Sequence, residues 1–301
     1  MQQRPQVLAV DVGATKLAAA VVDGRGTLTW RARTPTPSTT DADELWSALA
    51  DLVAAAPPGP ALCGIGCGGP MDVRAETVSP LNIPAWRDFP LRARVAAATG
   101  LPTWIDNDAK ALALGEGVLG AAAGTGNFVS LVVSSGVGGG IVLDGRLLDG
   151  AGGNAGHLGH LVVEPGGRRC ACGARGCLEA EASGMSIAAI TGRPAAEAPP
   201  ETVERVGTLV GRGVADIANL LDLRLATVAG SVALGYGDAF FAAAQAEIDR
   251  TARLSFSAGT RIVPSGLGAD GPLVGAAAVA WWGAGAVSLA GGVDPVSGVG
   301  R

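Results

Sequence analysis

Short apolar runs alternate along the chain with longer segments that have helical spacing. Apolar runs bounded by turn residues predict strands at 7–12, 17–23, 61–66, 103–108, 127–133 and 140–145, and a further apolar run lies at 226–230. Apolar residues that recur every three or four positions predict helices at 41–56, 91–99, 109–119, 201–221 and 238–252. Because strands and helices alternate, the pattern indicates an α/β fold.

Composition supports a globular protein and clarifies one ambiguous segment. The 301 residues are 48% hydrophobic and 16% charged, which is typical of a chain that buries a core. The net charge of −5 gives no basic surface for nucleic acid. Residues 271–293 are uncharged and long enough to span a bilayer, but most are Gly or Ala, so we expect a closely packed buried helix. Since no signal peptide is recognised, we expect a cytoplasmic protein that binds no membrane.

Two Gly-rich turns carry the groups that a phosphate site needs. DVGATK at 11–16 has a carboxylate at a strand end, a glycine turn, a hydroxyl and an ammonium group. SSGVGGG at 134–140 has two hydroxyls and backbone N–H groups that no Cβ obstructs. The first lacks the residue order of a P-loop, and each alone is also compatible with an ordinary hairpin turn. Two such turns in one chain favour a phosphate held from both sides.

Two further segments follow predicted strands. GIGCGG at 64–69 has the glycine spacing of a dinucleotide fold, but Pro70 comes next, where that fold needs a helix. We therefore interpret it as a loop that approaches a ligand closely.

IDNDAK at 105–110 lies at a strand-to-helix junction. There Asp108 is a candidate helix N-cap, and equally a candidate acceptor of the proton of a substrate hydroxyl.

The strongest local signal is a cluster of one histidine and three cysteines. Cys170, Cys172 and Cys177 follow His160 within 17 residues, and such a set is typical of a structural zinc site. The alternative is three free thiols in a loop rich in Gly and Arg. The other histidine, His157, is not one of the four candidate metal ligands, so the metal site does not explain it.

In this order, the motifs resemble those of the ROK family of sugar kinases and repressors, from residue 7 to about 280. DVGATK resembles the family's first phosphate loop, PLNIPAW at 80–86 its sugar-side loop, IDNDA its Asn–Asp pair and SSGVGGG its second phosphate loop. GNAGHLGH resembles an A-G-E-x-G-H motif, CACGARGCLE the zinc signature, AGSVA at 229–233 a nucleotide-side motif and GADGPLVGAA at 268–277 the C-terminal helix.

The resemblance implies a fold and a domain organisation. The fold is a two-lobed actin-like (ribonuclease H-like) ATPase, an α/β architecture, with a zinc-binding loop at 157–179. The small lobe is expected at 1–107 and the large lobe at 108–285, and the tail at 286–301 is a candidate to rejoin the small lobe.

The resemblance also implies roles for single residues. Asp108 is implied as the general base that accepts the proton of the attacking sugar hydroxyl. Sugar contacts are implied for Gly69, Asn82, Asn107, Asp108, His157, His160 and Glu179. The phosphates of ATP and their Mg²⁺ are implied to lie against Asp11, Gly13, Thr15, Lys16, Ser135, Gly136, Gly230 and Ser231. Structural Zn²⁺ is implied at His160, Cys170, Cys172 and Cys177.

The clearest departure from the family pattern bears on the substrate. His157 stands where the family has a sugar-binding Glu, and neutral imidazole accepts one hydrogen bond while a carboxylate accepts more. Ser134 and Ser135 stand in place of a loop Gly and Thr, and the second change keeps the hydroxyl.

We therefore expect an ATP-dependent hexose kinase that phosphorylates the 6-hydroxyl of glucose and forms a homodimer or homotetramer. The alternatives are a kinase of an N-acetylhexosamine, such as N-acetylmannosamine or N-acetylglucosamine, and a sugar sensor that binds but scarcely turns over. Retention of Asp108 favours an enzyme. Because the first phosphate loop lies at the start of the sequence, we expect no DNA-binding helix-turn-helix before it and no nucleic-acid partner.

Overall fold

Two five-stranded mixed sheets form the framework of the protein, whose computed structural model describes residues 4–72 and 76–289. The first sheet contains β1 (Val7–Val12), β2 (Lys16–Val22), β3 (Leu28–Pro35), β4 (Leu62–Cys67) and β5 (Thr103–Asn107). Its strand order is β3-β2-β1-β4-β5, in which β1, β2 and β3 are antiparallel neighbours and β4 and β5 run parallel to β1.

The second sheet repeats the topology of the first. It contains β6 (Phe128–Val133), β7 (Val137–Leu143), β8 (Arg146–Leu147), β9 (Leu225–Ala229) and β10 (Arg261–Pro264). Its order is β10-β9-β6-β7-β8, with an antiparallel β6–β7–β8 meander and with β9 and β10 parallel to β6. The strand, Gly-rich turn and strand seen twice in the sequence therefore open each sheet.

Eight α-helices cover the faces of the two sheets. They are α1 (Ala42–Ala54), α2 (Leu91–Thr99), α3 (Asp108–Val118), α4 (Leu178–Ala182), α5 (Gly184–Thr191), α6 (Pro200–Leu221), α7 (Ser231–Thr251) and α8 (Gly271–Gly283) within the described residues. Helices α1 and α2 pack on the outer face of the first sheet, and α6 and α7 pack against the second. Helices α3 and α8 fill the space between the sheets, where their apolar side chains meet those of β1 and β2.

Helix α8 confirms a buried, closely packed helix within the predicted range of 271–293, but the helix ends at Gly283. Its residues from Leu273 to Trp281 are buried, and its small side chains let neighbouring backbones come close. A Cβ on Gly64 of β4 would run into the carbonyl oxygen of Ala276, so only glycine fits there. Within the part of the chain that the structure describes, no helix combines the length and the apolar character needed to cross a bilayer.

The structure moves several predicted boundaries, among them the starts of β7 and α7, and adds strands that the pattern missed. Strand β7 begins at Val137 rather than at 140, because glycines without a Cβ lie flat against α3; a Cβ on Gly140 would clash with Ala113. Helix α7 begins at Ser231 rather than at 238, and its interruption is at Gly237, which has φ 58°. The missed strands are β3, β8 and β10.

The division into lobes at 1–107 and 108–285 stays a prediction. Most of the tail at 286–301, the candidate to rejoin the small lobe, lies outside the described residues.

Candidate active site

The carboxyl ends of three parallel strands meet at one edge of the first sheet. Strands β1, β4 and β5 end there, and such an edge is where open α/β sheets bind ligands. Asp11 pairs with Gly66, and a Cβ on Gly66 would lie 3.7 Å from the Cα of Asp108. The strand ends therefore bring Asp11 and Asp108 to the same place.

Asn107, and not Asp108, caps helix α3. The side-chain oxygen of Asn107 accepts from the backbone N–H groups of Ala109 and Lys110, at 3.0 and 3.4 Å. The N-cap alternative for Asp108 is therefore wrong, since Asp108 is the first residue inside the helix. Its Oδ1 accepts the neighbouring N–H of Ala109, at 2.8 Å, and the side chain stays exposed at the site.

The carboxyl groups of Asp11 and Asp108 both have raised pKa values, so each is harder to ionise than an ordinary aspartate. The side chain of Asp108 is exposed, but the surrounding protein atoms displace much of the nearby solvent. This desolvation raises the pKa of Asp108 above 3.8. Asp11 is buried; desolvation, followed by the negative charge of Asp108, raises its pKa to about 7, while Lys16 acts in the opposite direction. Raised carboxylate pKa values are typical of sites that accept a proton near neutral pH.

The first Gly-rich turn has a fixed backbone and exposed polar side chains. The N–H of Gly13 donates to the carbonyl oxygen of Lys16 at 3.0 Å, and the hydroxyl of Thr36 donates to the carbonyl oxygen of Gly13 at 2.6 Å. Thr15 and Lys16 project from this turn into solvent. A hydroxyl and an ammonium group are thus presented beside Asp11.

The second Gly-rich turn lies against the start of α7. The N–H of Ser134 donates to the carbonyl oxygen of Gly136 at 2.9 Å, and the hydroxyl of Ser134 is 3.1 Å from that of Ser231. Gly230 has φ 100°, and any Cβ there would clash with the backbone of Val133. The turn that holds exposed Ser135 and the helix start at Ser231 therefore form one polar surface.

Side chains predicted to bind sugar gather beside Asp108. A Cβ on Gly69 would lie 3.4 Å from Nδ2 of Asn107 and 4.0 Å from Cε1 of His157. Glu179, in the first turn of α4, accepts from the N–H of Val137 at 3.0 Å, which joins this group to the second Gly-rich turn. Asn107 and Glu179 keep further polar atoms for a ligand.

The exposed imidazole of His157 is influenced by charges on several sides. Desolvation and then the charge of His160 lower the pKa of His157 below 6.5, while Asp108 and Glu179 act in the opposite direction. The ring is therefore neutral at pH 7.

Asn82 stands apart from the other predicted sugar-binding residues. It is exposed in a turn, and the contacts found among residues 4–72 and 76–289 do not join its side chain to theirs. The adjacent N–H of Leu81 donates to the carbonyl oxygen of Gly69 at 3.2 Å, which places the turn at the rim of the same site.

The four predicted metal ligands converge. One ligand atom from each of His160, Cys170, Cys172 and Cys177 lies within 4.8 Å of all the others. Sγ of Cys170 is 3.6 Å from Nδ1 of His160, and Sγ of Cys172 is 3.7 Å from Sγ of Cys177. Tetrahedral zinc, with Zn–S near 2.3 Å and Zn–N near 2.05 Å, places S and N about 3.6 Å apart and two S atoms about 3.8 Å apart. The donor set thus fits zinc in type and spacing.

An ion cluster around the buried side chain of Lys110 borders the site and was not predicted from the sequence. Lys110, two residues after Asp108, pairs with Asp106 at 3.0 Å and Asp149 at 2.7 Å. The spacing of Asp106 and Lys110, four residues apart across the start of α3, was a visible signal for the first pair. The second pair joins residues 39 positions apart, which no local pattern indicates.

Comparison with known proteins finds relatives that are named as ROK family members or sugar kinases. The model of the ROK family matches residues 7–282. A protein named N-acetylmannosamine kinase from Citrobacter koseri is 38% identical over 246 residues, covering 76% of this chain and 84% of the relative. The structure of a ROK hexokinase from Thermus thermophilus has 34% identity and a TM-score of 0.76, covering 94% of this chain and 100% of that one. A ROK glucokinase from Streptomyces griseus, solved with glucose and AMPPNP, has 30% identity and a TM-score of 0.80, covering 92% and 99%.

Proposed function

The chain belongs to the ROK family and is a sugar kinase, and from this premise we propose that it transfers the γ-phosphoryl group of ATP to the 6-hydroxyl of N-acetylmannosamine. The observation that carries the choice of sugar is the 35–38% identity to N-acetylmannosamine kinases of several bacteria. The departure at His157 supports it, because a sugar-binding residue there differs from the family's Glu. Glucose, the sugar expected from the sequence, is not supported by these relatives.

Asp108 is proposed as the general base. Its carboxylate is left exposed by the Asn107 cap and lies where the parallel strands end, and desolvation raises its pKa above 3.8, which makes it a better proton acceptor than an ordinary aspartate. In the proposed reaction Asp108 accepts the hydroxyl proton, the sugar oxygen bonds to the γ-phosphorus, and the bond from that phosphorus to ADP breaks. Such transfers depend on positioning and charge neutralisation.

The surrounding residues are proposed to orient the two substrates. Gly69 gives the sugar room, while Asn107, His157 and Glu179 bond its hydroxyl and acetamido groups, with Asn82 at the rim. The phosphates of ATP are proposed to lie between the two Gly-rich turns, against Gly13, Thr15, Lys16, Ser135, Gly136, Gly230 and Ser231. Mg²⁺ near Asp11 would neutralise phosphate charge.

Zinc is proposed as a structural ion held by His160 and the three cysteines. Four protein ligands leave no open position for catalysis. Cys177 comes directly before α4, two residues from Glu179, and His160 follows His157 by one short turn. The ion would therefore hold both sugar-binding segments in place.

Cytoplasmic localisation and a dimeric or tetrameric state stay predictions.

A sugar panel tests the proposed substrate. In a coupled assay of ADP release, we expect kcat/KM to be highest for N-acetylmannosamine, about tenfold or more above N-acetylglucosamine, mannose and glucose. His157→Glu restores the family's carboxylate and should move the preference toward glucose, while Asp43→Ala, on α1, should leave the ranking unchanged. A wild-type preference for glucose contradicts the choice of sugar. An absence of turnover on every sugar, with sugar binding retained, would indicate a sensor.

A further inference from the structure

Lys110 links three separate parts of the chain from a buried position. Its side chain is 3% exposed and lies in the first turn of α3. Nζ is 3.0 Å from Asp106 at the end of β5, 2.7 Å from Asp149 and 3.4 Å from the carbonyl oxygen of Gly153. The three donors of the ammonium group therefore each have an oxygen acceptor. Burial alone would lower the pKa of Lys110, but the two carboxylates outweigh burial and raise it, so the group stays charged.

The segment that Lys110 holds, residues 149–157, ends at the sugar site. It begins at Asp149, and its last residue is His157, whose ring lies near Gly69, as does the amide of Asn107. Four of the nine residues are glycine. A Gly-rich segment has many accessible backbone conformations, so keeping one of them requires anchoring contacts.

A second anchor fixes the same segment to the loop after β4 that contains Met71. The amide of Asn154 bonds both backbone groups of Met71, accepting from its N–H and donating to its carbonyl oxygen, each at 3.3 Å. Asn154 is exposed and its two bonds to Met71 are between uncharged groups at 3.3 Å, whereas the buried ammonium group of Lys110 makes a charge-assisted contact of 2.7 Å with Asp149 in addition to the 3.4 Å contact with Gly153. Lys110 is therefore the stronger of the two anchors.

From these contacts we propose that Lys110 is a positioning residue for the sugar: by holding Asp149 and Gly153 it keeps the 149–157 segment in the conformation that places His157 beside Asn107. The proposal rests on the sugar-kinase function proposed above and deepens it. If the anchor is lost, only a fraction of molecules has the binding conformation, and the apparent sugar affinity falls by that fraction. Once sugar is bound, the geometry at Asp108 is unchanged.

Asp149→Ala is the sharpest test of this anchor. Removing Lys110 would leave the partly buried Asp106 without its partner and would destabilise the fold, while Asp149 is 70% exposed and its loss leaves the Lys110–Asp106 pair intact. The matched control is Asp43→Ala. Asp43 is 75% exposed, lies in the first turn of α1 and pairs with Arg94 at 2.7 Å, and the contacts among the described residues do not join it to the 149–157 segment.

Two measurements are made on each purified full-length variant. In Asp149→Ala we expect KM for the sugar to rise about tenfold, with kcat and KM for ATP within about twofold of wild type and with an unchanged melting temperature. Hydrogen exchange of peptides covering 149–157 should be faster than in wild type. Asp43→Ala should match wild type in both measurements.

The outcomes separate this proposal from the proposed function. Unchanged exchange in the 149–157 peptides, or an unchanged KM for the sugar in an active enzyme, overturns the positioning role. An equal rise in KM for ATP, or a loss confined to kcat, also overturns it. If no sugar is phosphorylated, the proposed function fails by itself, and sugar affinity measured by calorimetry then decides the positioning role: a tenfold weaker Kd in Asp149→Ala supports it, and an equal Kd overturns it.

Discussion

At the start of α3, the adjacent side chains of Asn107 and Asp108 have different roles: Asn107 caps the helix, and Asp108 is the proposed general base. The backbone N–H groups of the first helical turn need an acceptor, and Asn107 supplies it. This leaves the carboxylate of Asp108 exposed and directed to the site. A sequence containing Asn-Asp at a helix start does not reveal which of the two residues caps, because both are good N-caps. The structure decides between them.

Asp108→Asn tests the catalytic role that follows from this division. We expect kcat to fall by about 10²–10⁴-fold, which is the usual contribution of a general base. The KM for the sugar should change less than about threefold, because the amide still bonds a hydroxyl. Steady-state kinetics with the preferred sugar give both numbers, and near-full activity would exclude Asp108 as the base.

The pH profile gives an independent check on the same residue. A base must be ionised, and desolvation raises the pKa of Asp108 above its ordinary 3.8. The kcat/KM of the wild type should therefore fall as pH falls through that raised value. In Asp108→Asn, the residual activity should lose this acid limb.

At the scale of elements, the zinc loop connects the fold to the site. Elemental analysis of the protein should find close to one zinc per chain. Cys172→Ser should lose the zinc and lower the melting temperature, since structural zinc contributes directly to folding free energy. Cys172 is exposed, so little of that loss can come from packing.

A buried cysteine away from the loop provides the control for the zinc prediction. Cys63, on β4, is fully buried, and Cys63→Ser should lower stability through packing while keeping the zinc. A preparation of the wild type without zinc, but with full stability and activity, would rule out the structural ion.

The elements that sequence reasoning found and missed differ in a physical way. Buried strands such as β1 and β6 are continuous apolar runs, and helices such as α1 have a clear apolar face, so their patterns stand out. Strand β3 alternates between half-buried and exposed positions and carries two arginines, and β10 has only four residues. Neither contains enough apolar residues in a row to be recognised.

The candidate site was predictable to the extent that its groups lie in local motifs. The four zinc ligands and the two Gly-rich turns are each contained in short segments, and the structure brings the members of each set together. The Lys110–Asp149 and Asn154–Met71 contacts join residues 39 and 83 positions apart. Such contacts depend on how the two sheets face each other, which a single sequence does not specify.

At the scale of the whole molecule, two similar sheets must be held together while a site stays open at their edges. Helices α3 and α8 do this between the sheets, and they approach closely because glycine replaces side chains at their contact. A Cβ on Gly115 of α3 would lie 3.1 Å from Cα of Gly275 in α8. The uncharged, Gly- and Ala-rich composition that suggested a membrane span is therefore explained by helix packing.

This packing predicts that one methyl group in α8 destabilises the whole protein. A Cβ on Gly275 would lie 2.8 Å from the carbonyl carbon and oxygen of Ala111, which is backbone and cannot rotate away. Gly275→Ala should therefore lower the free energy of unfolding by about 1–3 kcal/mol, the usual cost of overpacking, despite the better helix propensity of alanine. The control is Gly235→Ala in α7, where a Cβ meets nothing within 4 Å and propensity alone should stabilise by up to about 1 kcal/mol. Urea unfolding of both variants measures the difference, and equal stability of the two would show that α3 and α8 are not close-packed at this point.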